Sequence, residues 1–308
     1  MTLSRTPFAL SFSLLLPLAA AGCSWKALSA KASKPLLADI VTSYRRESDL
    51  ELVRTAAPGH LKMLDGLILG NPEDPELLET GCQLYAWYAF GILEDEMEIA
   101  PEGPAHEALK VRTKECYRRS REYGLRRLSL WKGSPERPPA QYFPSVDEVK
   151  TFAKSYGKGD VPALFWTSLS WMALTQLSLD EAQAISLFPS AGALAEVALA
   201  LDPNYFYGGP HLLMGVYLGS RSKMLGGDLD RAMKEFDAAD KIAGGRLLLV
   251  PLLKARYWAV SAQNRAQFES NLRRVAANDP SILPDERLSN ELARRRANRY
   301  LAKADEWF

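Results

Sequence analysis

No stretch of this chain alternates apolar and polar residues over the length of a strand; apolar positions recur at helical intervals instead. The spacing predicts a helix over 36–56 and another over 59–69, with Leu61, Leu64, Leu67 and Ile68 on one face. Asn71-Pro72-Glu73-Asp74-Pro75 reads as a break and a new start, because Asp74 can N-cap and Pro75 suits the first helical turn. The third helix, 75–95, is apolar on every face from Leu84 to Phe90 and should be buried all round. Further helices are predicted over 104–131, 146–156, 162–179, 180–187 and 191–201. A loop at 132–144 carries four prolines. Gly208-Gly209 opens a helix over 210–222, and Met224–Asp228 turns it into a partner over 229–242. The pair 246–263 and 266–278 follows, and the chain ends in a helix over 285–307 bearing Arg294, Arg295, Arg296 and Arg299.

This is an all-α pattern of consecutive helical hairpins. Tetratricopeptide repeats run about 34 residues, with small residues where the paired helices touch and a proline after the second helix. Gly227-Asp228, Ala232, Phe236 and Ala239 match the turn and second-helix positions, and Gly215 suits a close contact from the first helix. Ala198 before Pro203 and Val275 before Pro280 repeat the ending, so the repeat is degenerate. A hairpin cannot bury its own apolar face, so the expected fold is a stack of hairpins, a tetratricopeptide-repeat-like α-solenoid with a concave binding surface.

The N-terminus has another character. Arg5 precedes an apolar run from Phe8 to Leu18, which is too short to cross a bilayer as a helix of roughly 20 residues. Ala20-Ala21-Gly22-Cys23 resembles a bacterial lipobox, which implies cleavage after Gly22 and lipidation of the Cys23 thiol. The competing reading is plain secretion with an incidental cysteine. Ser24 at the position after the cysteine favours the outer membrane over the inner. The expected organisation is a lipoprotein signal at 1–22, a tether at 23–34 and a single helical domain at 35–308, held on the periplasmic face of a membrane by several acyl chains.

Composition adds exclusions. There are 38 Lys+Arg against 37 Asp+Glu, and Arg5 is the one charge in the signal, so the remainder is formally neutral. A neutral body argues against a nucleic-acid partner. Three cysteines are too few for a disulfide-rich scaffold, and three histidines supply no local metal motif. No nucleophile elbow or paired-carboxylate setting emerges, so neither an enzyme nor a cofactor is expected.

The stretch DPNYFYGGPHLLMGVYLGSRSKMLGGDLDRAMKEFDAA (202–239) is similar to the T component of TRAP-type transporters, the TatT family. Its GGPH run, Gly-Val-Tyr step and Leu-Gly-Gly turn carry the likeness. Three further blocks agree in order: LVRTAAPGHLKMLDGLILGNPEDPELL (52–78), YAWYAFGILEDE (85–96) and REYGLRRL (121–128). The resemblance spans about 36–280 and leaves the proline-rich loop and the arginine-rich last helix unmatched. It implies a lipoprotein of tetratricopeptide-like helices and a homo-oligomer, a trimer in the known case, with a pore or cleft in each subunit. It also implies a periplasmic substrate-binding protein as partner and a small anionic or hydrophobic cargo. The competing function is a general scaffold lipoprotein for outer-membrane or pilus assembly.

The candidate cleft residues are Tyr205, Phe206, Tyr207, His211, Tyr217 and Arg221. Three aromatics in a helix connection either line a cleft or cap the core between hairpins. His211 is a ligand contact or a structural hydrogen bond, and Arg221 is an anion site or a cation at a helix C-terminus. Glu94, Asp95, Glu96, Glu98 and Glu102 lack calcium-loop spacing and read as a solvated loop. Trp87, Tyr88, Phe90, Phe165, Trp166 and Trp171 line a channel or fill the core. Cys82 and Cys116 lie equally far from the centre of one predicted hairpin loop, near Ile99, which places them at similar height. A disulfide there requires facing side chains at close approach.

Overall fold

The computed structural model describes residues 25–130 and 143–308, with side chains from residue 33 onward. Cys23, the signal segment and almost all of the proline-rich loop lie outside these residues. Among the described residues the chain is a series of helices joined by short turns, without strands.

The first two helices differ from the pattern reading. α1 (Trp25–Arg46) begins well before residue 36, so most of the segment expected as a tether is helical, and α2 (Leu50–Gly70) runs straight through Pro58-Gly59. The break falls at 47–49. There the Glu47 carboxylate accepts from the Ser48 and Asp49 amides at 2.6 and 3.0 Å, and Asp49 accepts from Glu51 and Leu52 at 2.9 and 3.1 Å. Two carboxylates that satisfy orphan amides outweigh one proline, which removes a single ladder bond.

α3 (Pro75–Tyr88) is capped by Asp74 as its sequence implies and continues through a π-turn (Ala89–Leu93) into α4 (Glu94–Ile99). Gly91 sits in that turn because the Trp87 ring crosses it; a Cβ there would lie 2.6 Å from the indole. α5 (Pro104–Leu130), α6 (Val146–Ala153) and α7 (Val161–Gln176) follow. α3, α5 and α7 meet through small residues: Ser120 Oγ donates to the Cys82 carbonyl at 2.6 Å and lies 2.6 Å from Ser170 Oγ, and a Cβ on Gly124 would meet Thr167 Oγ1 at 1.9 Å. The two segments expected at 180–187 and 191–201 are one helix, α8 (Ala182–Leu201), with Pro189 inside. Its length and apolarity would suit a membrane span, yet Phe188, Ala191, Leu194, Ala195 and Ala198 belong to the core it forms with α7 and α9.

α9 (Tyr205–Gly219) and α10 (Leu229–Ile242) form the hairpin read from the repeat pattern. A Cβ on Gly215 would touch the Phe236 ring at 3.0 Å, and Ala232, Phe236 and Ala239 are fully buried. α11 (Leu249–Leu253) passes through a second π-turn (Lys254–Ala259), and α12 (Arg265–Ala277) and α13 (Arg287–Ala302) complete the series. The hairpins do not run out as an open array. α1 packs against α13, where Arg45 pairs with the buried Glu286 at 2.5 Å and Arg46 with Asp285 at 2.7 Å. The chain thus turns back on itself, and its inner face encloses space.

Candidate functional site

That space is a cavity of about 350 Å³. α7 runs along it with Phe165, Trp166, Leu169 and Met172, and α9 faces it with Leu212, Leu213 and Val216. Both π-turns open onto it, the first through Phe90 and the second through Arg256 and Tyr257. A π-turn inserts one residue into the helical ladder and so re-aims the side chains beyond it, which is why such turns gather at functional sites.

Polar groups collect toward one part of the wall. The Tyr117 hydroxyl donates to Glu94 Oε1 at 2.6 Å, and Arg296 Nη1 stands 3.7 Å from Glu94 Oε2. Burial pushes the Glu94 carboxyl above its ordinary range, against the pull of Arg296, and raises the Tyr117 phenol as well. Glu98 accepts from the Tyr300 hydroxyl at 2.7 Å and pairs with Arg299. Arg256 differs from these: its guanidinium lies 4.2 Å from the Trp307 ring centroid and 5.5 Å from that of Tyr257, and among the described residues it meets no carboxylate at ion-pair distance, although its charge acts on Glu94. An apolar chamber with one aromatic-held cation in its wall suits a small, mainly apolar molecule.

The cavity borders two wider clefts. Phe206 lines both the cavity and a cleft of about 720 Å³ that also touches α1 and α3. Met97, Gln176 and Leu177 line both the cavity and a cleft of about 510 Å³ with His106 and Lys110 at its edge.

The structure divides the candidate cleft residues. Phe206 is in the cavity wall. Tyr205 and Tyr207 line the outer cleft beside it, and the Tyr205 hydroxyl accepts from Trp166 Nε1 at 3.0 Å. His211, Tyr217 and Arg221 lie elsewhere. His211 Nδ1 is 2.7 Å from Glu235 Oε2 on α10. Tyr217 packs beneath Gly192, where a Cβ would meet its ring at 2.1 Å, and the Arg221 guanidinium covers the other side at 3.6 Å from the centroid. Arg221 also donates to the carbonyls of Tyr217, Leu225 and Gly226 at 3.0, 3.0 and 2.9 Å, tying the α9–α10 turn.

Of the aromatic stripe, Trp87, Phe90, Phe165 and Trp166 reach the cavity, whereas Tyr88 and Trp171 are spent in the core. The acidic cluster is no solvated loop. Asp95 is 4% exposed and is met by Arg295 at 3.0 Å and Arg299 at 2.8 Å. The arginine-rich last helix thus neutralises the acidic segment. No disulfide joins Cys82 to Cys116; both are buried free thiols. Cys82 faces Ser120, one turn beyond Cys116, with Ser120 Oγ 3.6 Å from Sγ, while Cys116 packs with Tyr85, Tyr88 and Ala89. Tyr117, Arg256 and Tyr257 were not candidates in the sequence, because only the π-turns and the ring closure bring them together.

The model of the family described as TRAP transporter T-component matches residues 46–308. A protein of Treponema pallidum (strain Nichols), described as uncharacterized, is 23% identical over 273 residues, which cover 88% of this chain and 84% of that protein.

Proposed function

The chain belongs to the TRAP transporter T-component family, and from that premise we propose that it docks the substrate-binding protein of a TRAP system and passes a small ligand through its cavity. The family places it as an accessory component of TRAP transport at the bacterial periplasm or membrane. The observation that carries the finer reading is the 350 Å³ apolar chamber, which borders an open cleft at each of two places. A scaffold whose surface alone served partners would have no need of a chamber lined by six helices and two π-turns. Cys23 serves as the lipid anchor, on the outer membrane, which leaves the helical body free to meet a soluble partner. The helices act as tetratricopeptide-like hairpins, and copies associate as a homo-oligomer, a trimer. The cargo is small, apolar over most of its surface, and anionic where it meets Arg256.

Affinity capture of the lipidated protein from native periplasm, followed by mass spectrometry, tests this. Repeated recovery of a TRAP substrate-binding protein is the expected result. Recovery of secretins or outer-membrane barrels in its place would sink the reading and favour the assembly-scaffold alternative.

A further inference from the structure

Three consecutive residues between α8 and the regular part of α9 are left-handed: Phe206 (φ 47°, ψ 51°), Tyr207 (φ 56°, ψ 40°) and Gly208 (φ 85°, ψ 19°). Gly208 adopts this readily and needs to, because a Cβ would lie 3.1 Å from Ala239 Cα. For two successive aromatic residues the conformation is costly, and it persists only where the surroundings impose it. Its consequence is to swing the Phe206 side chain out of the helical path and into the wall between the inner cavity and the outer cleft. The ring is met on the protein side by Trp166 at 5.4 Å and Phe165 at 6.0 Å between centroids. Over it lies the Arg45 guanidinium, 5.8 Å from the ring centroid and itself tied to Glu286 on the far side of the ring closure. Phe206 is half-buried and borders open volume on two sides.

The other border of the cavity is built differently. Met97, Gln176 and Leu177 stand at that border, and none of them carries a ring. Trp166 and Gln176 are ten residues apart on α7, so the two borders are separated by roughly 15 Å along that helix.

We propose that Phe206 is a gate: it closes the cavity toward the α1–α3 cleft, and its displacement opens a passage for an apolar ligand between that cleft and the mouth at Gln176. This rests on the transport reading above and adds to it the closed end and the residue that closes it. Arg45, through Glu286, couples the gate to the contact between the first and last helices. A partner that loosens α1 from α13 would therefore free the ring.

The test is the rate at which methyl methanethiosulfonate modifies a cysteine placed in the cavity wall, Leu213→Cys, in the full chain, read by mass spectrometry of the peptide containing residue 213. Adding Gln176→Trp narrows the other mouth and is expected to slow labelling by about tenfold. Adding Phe206→Ala to that protein is expected to restore the rate, and Phe206→Leu to restore it in part. Circular dichroism melts identify any variant that fails to fold, and the Ala and Leu variants back each other up. Labelling that stays slow in both folded Phe206 variants would overturn the gate. So would labelling that is equally fast in all proteins, since the cavity would then be open regardless of Phe206. Gated labelling without capture of a substrate-binding protein would retire the transport reading and keep the gate; capture with ungated labelling would do the reverse.

Discussion

Arg296 Nη2 donates to the Phe90 carbonyl at 2.6 Å and joins two segments 206 residues apart in the chain. The carbonyl belongs to the first π-turn, and the guanidinium also faces the Phe90 ring at 4.7 Å, Glu94 at 3.7 Å and Asp95 at 3.5 Å. With its side chain 3% exposed, Arg296 is the most deeply buried of three arginines, with Arg295 and Arg299, that make the buried acidic segment tolerable beside an apolar cavity.

Removing that cation should be among the most damaging single changes in the protein. Arg296→Met takes a cation from the buried Asp95, which keeps Arg295 and Arg299, and from the partly buried Glu94, and breaking a buried pair from one side costs about 3–5 kcal/mol. Chemical denaturation is expected to register a loss of that size, with a smaller loss for Arg296→Lys, which keeps the charge and forfeits the fork. Equal stability of Arg296→Met and wild type would refute the role assigned here.

Glu94 carries a pH dependence of known sign. Burial holds its carboxyl above the ordinary value of 4.5, despite Arg296 and the Tyr117 hydroxyl. The folded state then binds this proton more tightly than the unfolded chain does, so between 4.5 and the raised value stability falls as pH rises. Glu94→Gln keeps an oxygen for Tyr117 and removes the buried charge. The variant should melt above wild type at pH 8, with the gap closing as pH falls toward 4.5. A gap that does not vary with pH would contradict the buried-carboxyl account.

Much of this architecture was legible because helical periodicity is a local signal. Asp74-Pro75 placed the start of α3, and Gly215 with Ala232, Phe236 and Ala239 placed the α9–α10 contact. The break at Glu47–Asp49 was not legible, since Pro58-Gly59 is the louder local signal and the two carboxylate caps act through geometry. The cavity was half legible. Its aromatic members, Trp87, Phe90, Phe165, Trp166 and Phe206, stood out by type and position, but composition does not separate them from Tyr88 and Trp171, which fill the core. Arg256, Tyr257 and Tyr117 enter through π-turns and ring closure, and neither leaves a mark in a window of neighbouring residues.

Arg221 offers a clean separation of structural from ligand-binding roles. Its three bonds to carbonyls and its stacking on Tyr217 lie outside the cavity wall. Charge-assisted bonds of this kind and a close cation–π contact are together worth about 2–3 kcal/mol at a half-buried site. Arg221→Ala should lower stability by that amount in a denaturant titration while leaving the labelling rate at Leu213→Cys unchanged. A fall in labelling rate without a fall in stability would return Arg221 to the ligand path.

The two buried cysteines should stay reduced and inert in an oxidising compartment. Burial pushes the Cys82 thiol up to about 12 and the Cys116 thiol to about 11, so almost no thiolate is present at neutral pH. Register prevents pairing as well. Cys82 Sγ is engaged by Ser120 at 3.6 Å and Thr167 at 3.8 Å and would meet a Cβ on Gly124 at 2.8 Å, whereas Cys116 packs one turn away among Tyr85, Tyr88 and Ala89. A bridge would need α5 to slide by a turn, about 5.4 Å, past the Gly124–Thr167 contact, which has no slack. Native protein treated with iodoacetamide at pH 8 should therefore carry no label at either residue, and both should label after unfolding in denaturant. A peptide joining Cys82 to Cys116 in an unreduced digest would show that the α3–α5 register differs from the one described.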